Sequence, residues 1–229
     1  MSLLLFDIDG TLLLSGGAGV RAMTRAFEMV FGVREAFSTA DIAGRTDTFI
    51  LSHALVAAEI PDTPENHERF RETYIPVLRE EIQRPTASPS GLMPGVRALL
   101  DAVHGGGRFY VALLTGNFES AAYIKLDHFA IGQFFPWGAF GEASREREEL
   151  ARIAVRRAQE YAVPREARER TLVIGDTPHD VACAHAVGAR ILAVATGNYS
   201  VQSLTTAGAD VVLPDLSDTS RVLEILRAP

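Results

Sequence analysis

Near the start of the chain, Leu3, Leu4, Leu5 and Phe6 run without a break into Asp7, Ile8, Asp9, Gly10 and Thr11. A short continuous apolar run is the signature of a strand buried on both faces. This one ends on two carboxylates only two positions apart. In open parallel sheets, ligands sit outside the carboxyl ends of the strands. The stretch therefore predicts a buried first strand whose end carries acidic chemistry, and it points to an α/β layer fold.

The rest of the chain supplies the matching parts. Besides Leu3–Asp7, short apolar runs predict strands at Phe109–Leu114, Thr171–Ile174, Arg190–Ala195 and Asp210–Leu213, with a shorter one near Gly138–Phe140. Helical stripes lie between them. One is Val96, Leu99, Leu100 and Val103; another is Leu150, Ile153, Ala154 and Ala158, in a segment dense with Arg and Glu on its other face. Strand and helix in alternation predict a Rossmann-like parallel sheet covered on both sides.

Residues 16–87 break that rhythm. Val20, Met23, Phe27, Val30 and Phe31 follow helical spacing, as do Phe70, Tyr74, Leu78 and Ile82. The second set follows Thr63-Pro64, an N-cap and first-turn pair. Pro76 inside it is expected to kink the helix. No strand-like run is evident there. The expected organisation is an α/β core of residues 1–15 and 88–229, with a small all-helical insert of residues 16–87. Ser15–Gly19 enters the insert and Pro85–Gly91 leaves it, both rich in turn and linker residues.

Composition excludes several classes. The single cysteine, Cys183, cannot form an internal disulfide and fits a reducing compartment. Asp7 interrupts the apolar start, so no secretory signal is expected. No apolar run approaches the roughly 20 residues that span a bilayer. The expectation is a cytoplasmic protein with no membrane partner. A net charge of −7 disfavours a broad nucleic-acid footprint. Of 22 basic residues, only Lys125 is a lysine, so chemistry that needs a lysine has one candidate.

The carboxyl ends of the other strands add to the first. Phe109–Leu114 is followed by Thr115, Gly116 and Asn117, and Thr171–Ile174 by Gly175, Asp176, Thr177 and Asp180. Arg145 and Arg147 precede the helix at Leu150. Two like charges about 4 Å apart repel by roughly 4 kcal/mol at an effective dielectric near 20. The carboxylates must hold protons or share a cation. Mg²⁺ fits best, because it takes few protein carboxylates and leaves room for water and a phosphate. Asp7 could then attack phosphorus and form an aspartyl phosphate. Thr115, with the backbone N–H groups of Gly116 and Asn117, could hold the phosphoryl oxygens. Asp9 could protonate the leaving oxygen and later deprotonate the attacking water.

The stretches "DIDGTL" (Asp7–Leu12), "LLTGN" (Leu113–Asn117) and "GDTPHD" (Gly175–Asp180), in that order, resemble the motifs of the haloacid dehalogenase superfamily. The likeness covers nearly the whole chain, and the helical insert resembles the cap of the phosphoglycolate-phosphatase and beta-phosphoglucomutase-like group. The resemblance implies Asp7 as nucleophile and Asp9 as acid and base. It implies Mg²⁺ held by Asp7, the backbone carbonyl of Asp9 and Asp176, with Asp180 in support, and phosphate on Thr115. The family's usual lysine ahead of the last motif is missing: "GEASREREELARIA" has none. Arg147 is the first substitute, with Arg145 and Lys125 as alternatives. Arg keeps the charge but is not interchangeable with Lys in reach.

Other residues have plainer readings. Asp180 can N-cap the helix that follows it. His179 reads as solvated, and Cys183 as a small apolar helix residue. In "IAGRTD" (Ile42–Asp47), Thr46 or Asp47 can cap the next helix, and Arg45 can reach an anionic part of a substrate from the cap. The leading function is a Mg²⁺-dependent phosphatase of a small phosphorylated metabolite, phosphoglycolate by resemblance. A sugar-phosphomutase-type phosphotransferase would share every core residue. A non-catalytic phospho-aspartate receiver would lack the insert and would not need Asp9. Carbon–halogen cleavage leaves the acids unexplained, and phosphonate cleavage needs a cap lysine that the chain does not have.

Overall fold

A computed structural model of the chain describes residues 1–37, 43–104 and 106–228. Five buried residues, Ser2–Phe6, four of them apolar, form β1. It pairs in parallel with β4 (Phe109–Leu114) on one side and β6 (Thr171–Gly175) on the other. The sheet extends through β5 (Gly138–Ala139), β7 (Arg190–Val194) and β8 (Val211–Leu213) in the order β5-β4-β1-β6-β7-β8, all parallel. The expected strands are present, with ends shifted by a residue or so.

Alternation along β1 divides its side chains between two apolar layers. Leu4 and Phe6 face one layer, packed with α4 (Val96–His104), α5 (Glu119–His128) and α10 (Thr219–Arg227). Leu3 and Leu5 face the other, packed with α6 (Arg147–Glu160), α8 (Pro178–Ala186) and α9 (Val201–Thr206). A short helix α7 (Arg165–Arg168) precedes β6. Neighbours on both sides exclude water from β1, so its carboxyl end opens into a pocket rather than bulk solvent.

The insert contains α1 (Ala18–Phe31), α2 (Asp47–Ala57) and α3 (Pro64–Glu81). They share an apolar cluster, in which Phe27 packs against Phe31, Phe37 and Phe70 at 4.8–6.2 Å between ring centres. Phe118, Ala121 and Ile124 from the start of α5 complete it. Thr46 and Thr63 cap α2 and α3 through their hydroxyls. Helix α3 runs through Pro76 as one element. Val20, expected on the buried stripe, is exposed; Ala18, Ala22, Met23, Ala26 and Phe27 are the buried residues of α1.

A short ribbon that the sequence does not announce lies at the junction of insert and core. There β2 (Leu13–Ser15) and β3 (Ser90–Leu92) form an antiparallel ribbon, pairing Leu13 with Leu92 and Ser15 with Ser90. Three-residue strands with a Gly at the centre of one leave no period-2 pattern to read, so only the pairing partner makes them strands. Because the insert has an apolar cluster of its own, Phe27→Ala should remove about 3–5 kcal/mol of packing there. Hydrogen exchange should quicken in α1 and α3 while β1, β4 and β6 keep their protection. Equal loss in both regions would show instead that the clusters open together.

Candidate functional site

The carboxyl ends of β1, β4 and β6 converge as the sequence requires. Asp7 follows β1 and is buried; its backbone N–H donates to Ile174 O at 2.9 Å. Asp176 follows β6 and accepts a hydrogen bond from the Thr11 hydroxyl at 2.8 Å. Gly10, at φ 85°, and Gly197 both face this carboxylate, and a Cβ on either would overlap it. Asp180 is fully buried and takes both the N–H (3.0 Å) and the hydroxyl (2.7 Å) of Thr177. Thr177, not Asp180, is the N-cap of α8; Asp180 is its capping-box partner three residues on. The Thr-x-x-Asp spacing carried that signal.

Asp7, Asp176 and Asp180 each bring a carboxylate oxygen within 4.8 Å of one another. Burial, together with the neighbouring acids, pushes Asp7 up to about 7 and Asp176 up to about 8. Arg147, the first residue of α6, opposes this. Its guanidinium lies 3.5 Å from Asp7 Oδ1 and is hydrogen-bonded to Asp180 Oδ1. Burial works against its charge, but Asp7 and Asp180 outweigh that and raise its proton affinity. Its Nε is buried with no partner. One arginine cannot neutralise three acids. Hard oxygen donors at this spacing, cradled by glycine and unwilling to ionise together, fit a divalent cation.

The second half of the site centres on Asp9. Lys125, buried on α5, donates to Asp9 Oδ1 at 2.8 Å, to Asp9 Oδ2 at 2.6 Å and to Asn117 Oδ1 at 2.6 Å. Asn117 Nδ2 donates to Asp9 Oδ2 and to Thr115 Oγ1, both at 2.8 Å. Of the three basic candidates, Arg147 thus meets Asp7 and Lys125 meets Asp9. Arg145 stands elsewhere, half-exposed and paired with Asp62 at 3.0 Å.

Residues of the insert close over this edge. Asp47 at the start of α2 donates its N–H to Gly116 O at 2.7 Å and accepts from Phe118 N–H at 2.8 Å. Thr48 donates its hydroxyl to Gly141 O at 2.6 Å. A Cβ on Gly116 would run into Arg45 O, and one on Gly141 into Gly116 O. Burial pushes Asp47 up to about 7, with Lys125 pulling it back. The sequence shows Asp47 only as a helix start, because its partner is 71 residues away. His179 is half-buried beneath Gly44 rather than solvated, and burial with nearby Arg45 lowers its proton affinity. Cys183 is buried beside Arg147, its thiol pushed up to about 12 by burial. Ile42 lies outside the described residues. Under the insert lies a cavity of about 540 Å³, lined by Asp7, Asp9, Arg45, Lys125, Arg147 and Asp176 among others. Arg45 lies over the Phe49 ring at 4.8 Å with its Nε unpartnered.

The chain belongs to the haloacid dehalogenase-like hydrolases, whose family model matches residues 4–185. Among solved structures it is similar to a predicted phosphoglycolate phosphatase from Haemophilus somnus 129PT, at 20% identity and TM-score 0.70 over 97% of this chain and 98% of that one. It is similar to a predicted phosphatase from Clostridium acetobutylicum, at 19% identity and TM-score 0.71 over 97% and 98%. It is also similar to a mutant of CbbY from Rhodobacter sphaeroides in complex with xylulose-1,5-bisphosphate, at 20% identity and TM-score 0.68 over 95% and 96%. At these identities the likeness is one of fold. A search of curated proteins finds no match. Among the described residues, no helix is long and apolar enough to cross a membrane.

The buried acids set a pH dependence. Asp7 and Asp176 titrate near 7 and 8 in the fold, against an ordinary value of 3.8. Their contribution to stability without a cation is therefore full below about pH 4 and lost as pH rises through 7–8. Asp7→Asn should raise the Tm of protein kept in chelator clearly at pH 8 and little at pH 5. An equal shift at both values would contradict the burial of this charge.

Proposed function

We propose that this hydrolase is a Mg²⁺-dependent phosphatase of a small phosphomonoester of the phosphoglycolate kind. The observation that carries the reading is the pairing of each motif-one aspartate with its own cation at one sheet edge: Arg147 on Asp7 and Lys125 on Asp9. Asp7 is the nucleophile. Its carboxylate oxygen forms a bond to phosphorus as the ester P–O bond breaks, and Asp9 gives its proton to the leaving oxygen. Water then attacks the phosphorus of the aspartyl phosphate and yields its proton to Asp9. The P–O bond to Asp7 breaks, releasing inorganic phosphate.

Thr115, Gly116 and Asn117 at the end of β4, with Arg147, are the proposed phosphoryl ligands. Asp7, Asp176 and the backbone carbonyl of Asp9, supported by Asp180, are the proposed Mg²⁺ ligands. When bound, the ion supplies positive charge that offsets both the acids and the phosphoryl oxygens. The cavity size suits a small metabolite. Arg45, which lines that space from the insert and whose buried Nε has no partner, suits an anionic group at the far end of the substrate. A phosphotransferase would use the same core residues, and water exclusion by the insert would set it apart. A receiver has no use for Asp9 as acid and base, nor for an insert roofing the nucleophile.

The test is phosphate release from a panel of phosphorylated metabolites with and without Mg²⁺. Multiple turnover that requires the ion is expected; labelling that stops at one equivalent would favour the receiver. Asp7→Asn should abolish turnover while the protein stays folded, and more than trace activity would remove Asp7 as nucleophile. A hydrogen bond to a charged group contributes roughly 1.5–3 kcal/mol, so Arg147→Ala should lower kcat/KM on the order of ten- to a hundredfold. Arg147→Lys should recover part of it, and Arg145→Ala should be nearly silent. Normal kcat/KM in Arg147→Ala would move the phosphate charge to another residue. Mg²⁺ should also raise Tm more at pH 8 than at pH 6, because protons on Asp7 and Asp176 compete with it; the reverse order would count against this metal site.

A further inference from the structure

We infer that Lys125 is a positioning residue for Asp9, fixing the acid/base of the reaction and tying it to the phosphate-binding turn. The inference rests on the phosphatase reading above. Asp9 sits beyond the end of β1, and its side chain is 43% exposed, so the fold alone does not immobilise it. An acid that must also act as base has to meet the leaving oxygen and the attacking water from one place. The surroundings supply that restraint. An ammonium has three N–H groups, and three oxygens lie within hydrogen-bonding distance of Lys125 Nζ: Asp9 Oδ1, Asp9 Oδ2 and Asn117 Oδ1. None is left over for a phosphoryl oxygen. Lys125 therefore differs in role from Arg147, whose buried Nε has no partner.

The same contacts form a chain. Asn117 takes one bond from Lys125 and donates to both Asp9 and Thr115. A phosphoryl group that orders Thr115 and Asn117 is thereby coupled to the orientation of the acid. The helical insert borders the same group: a Cβ on Gly19 of α1 would stand 3.5 Å from Nζ, in van der Waals contact with it.

Lys125→Met separates this role from phosphate binding. An aryl phosphate such as p-nitrophenyl phosphate has a leaving group that needs no proton, so Asp7 can still be phosphorylated, whereas hydrolysis of the aspartyl phosphate still needs Asp9. The expected result is a rapid burst of nitrophenolate close to one equivalent, then steady turnover about ten- to a hundredfold slower than wild type, with KM not raised. An alkyl phosphate, which needs the proton in the first step as well, should lose rate without a burst. Lys125→Arg should restore part of the steady rate. A raised KM with unchanged kcat would make Lys125 a phosphate ligand and overturn the inference, as would wild-type kinetics in Lys125→Met. Thermal denaturation of Asp9→Asn, Lys125→Met and the double variant reads the contact without turnover. The Tm changes should be clearly non-additive, and additive changes would also overturn it. A wild-type protein inactive on every phosphomonoester would instead remove the phosphatase reading, a failure separate from these.

Discussion

Repulsion among buried carboxylates organises this molecule. Asp7, Asp176 and Asp180 meet where two adjacent strands, β1 and β6, end, in a space that neighbouring layers keep dry. In such surroundings an isolated carboxylate is costly, and three together are more so. Much of the local structure answers that cost. Thr11 and Thr177 donate hydroxyls, Arg147 supplies a charge from the first turn of α6, and glycines at 10 and 197 let the backbone come close to Asp176. The remaining deficit of positive charge is what suits the edge to a cation and to the reaction proposed around it.

That deficit also explains the division of labour between the two basic side chains. Arg147 arrives from one helical layer and Lys125 from the other, so the two motif aspartates are served from opposite faces of the sheet. An arginine offers a planar fork with donors to spare, which suits a shared anion. A lysine is a compact point charge that a carboxylate and an amide can saturate. With one lysine in the whole chain, its burial against Asp9 is a specific placement rather than one of many surface contacts.

Much of this was legible in the sequence. Apolar runs and helical stripes gave the sheet and both layers, because burial on two faces leaves a continuous signal in each strand. Acids and the Thr-Gly-Asn turn at strand ends gave the edge, because their places are fixed by local chain direction. What could not be read were contacts between distant segments whose residues look ordinary. Asp47 reads as a helix start, and only the fold brings it to Phe118. Lys125 and Arg147 each read as the missing cation, since helix position alone does not tell which aspartate a long side chain reaches. The β2–β3 ribbon is too short to have a pattern apart from its partner.

The seat of the insert on the sheet edge joins main-chain contacts to an apolar patch, where Phe118, Ala121 and Ile124 of the core enter the insert's cluster. Asp47 N–H meets Gly116 O, the Thr48 hydroxyl meets Gly141 O, and the two glycines leave no side chain in between. Of the side chains that face the cavity from the insert, Met23 and Ile50 belong to that apolar cluster, whereas Val20 on α1 is exposed and Arg45 lies in the loop before α2. Val20 and Arg45 can be exchanged with little effect on how the roof rests on the walls. A lineage built on this chain could therefore alter what it accepts by ordinary substitutions on the exposed face of α1 and in the loop before α2, while the chemistry below stays in register.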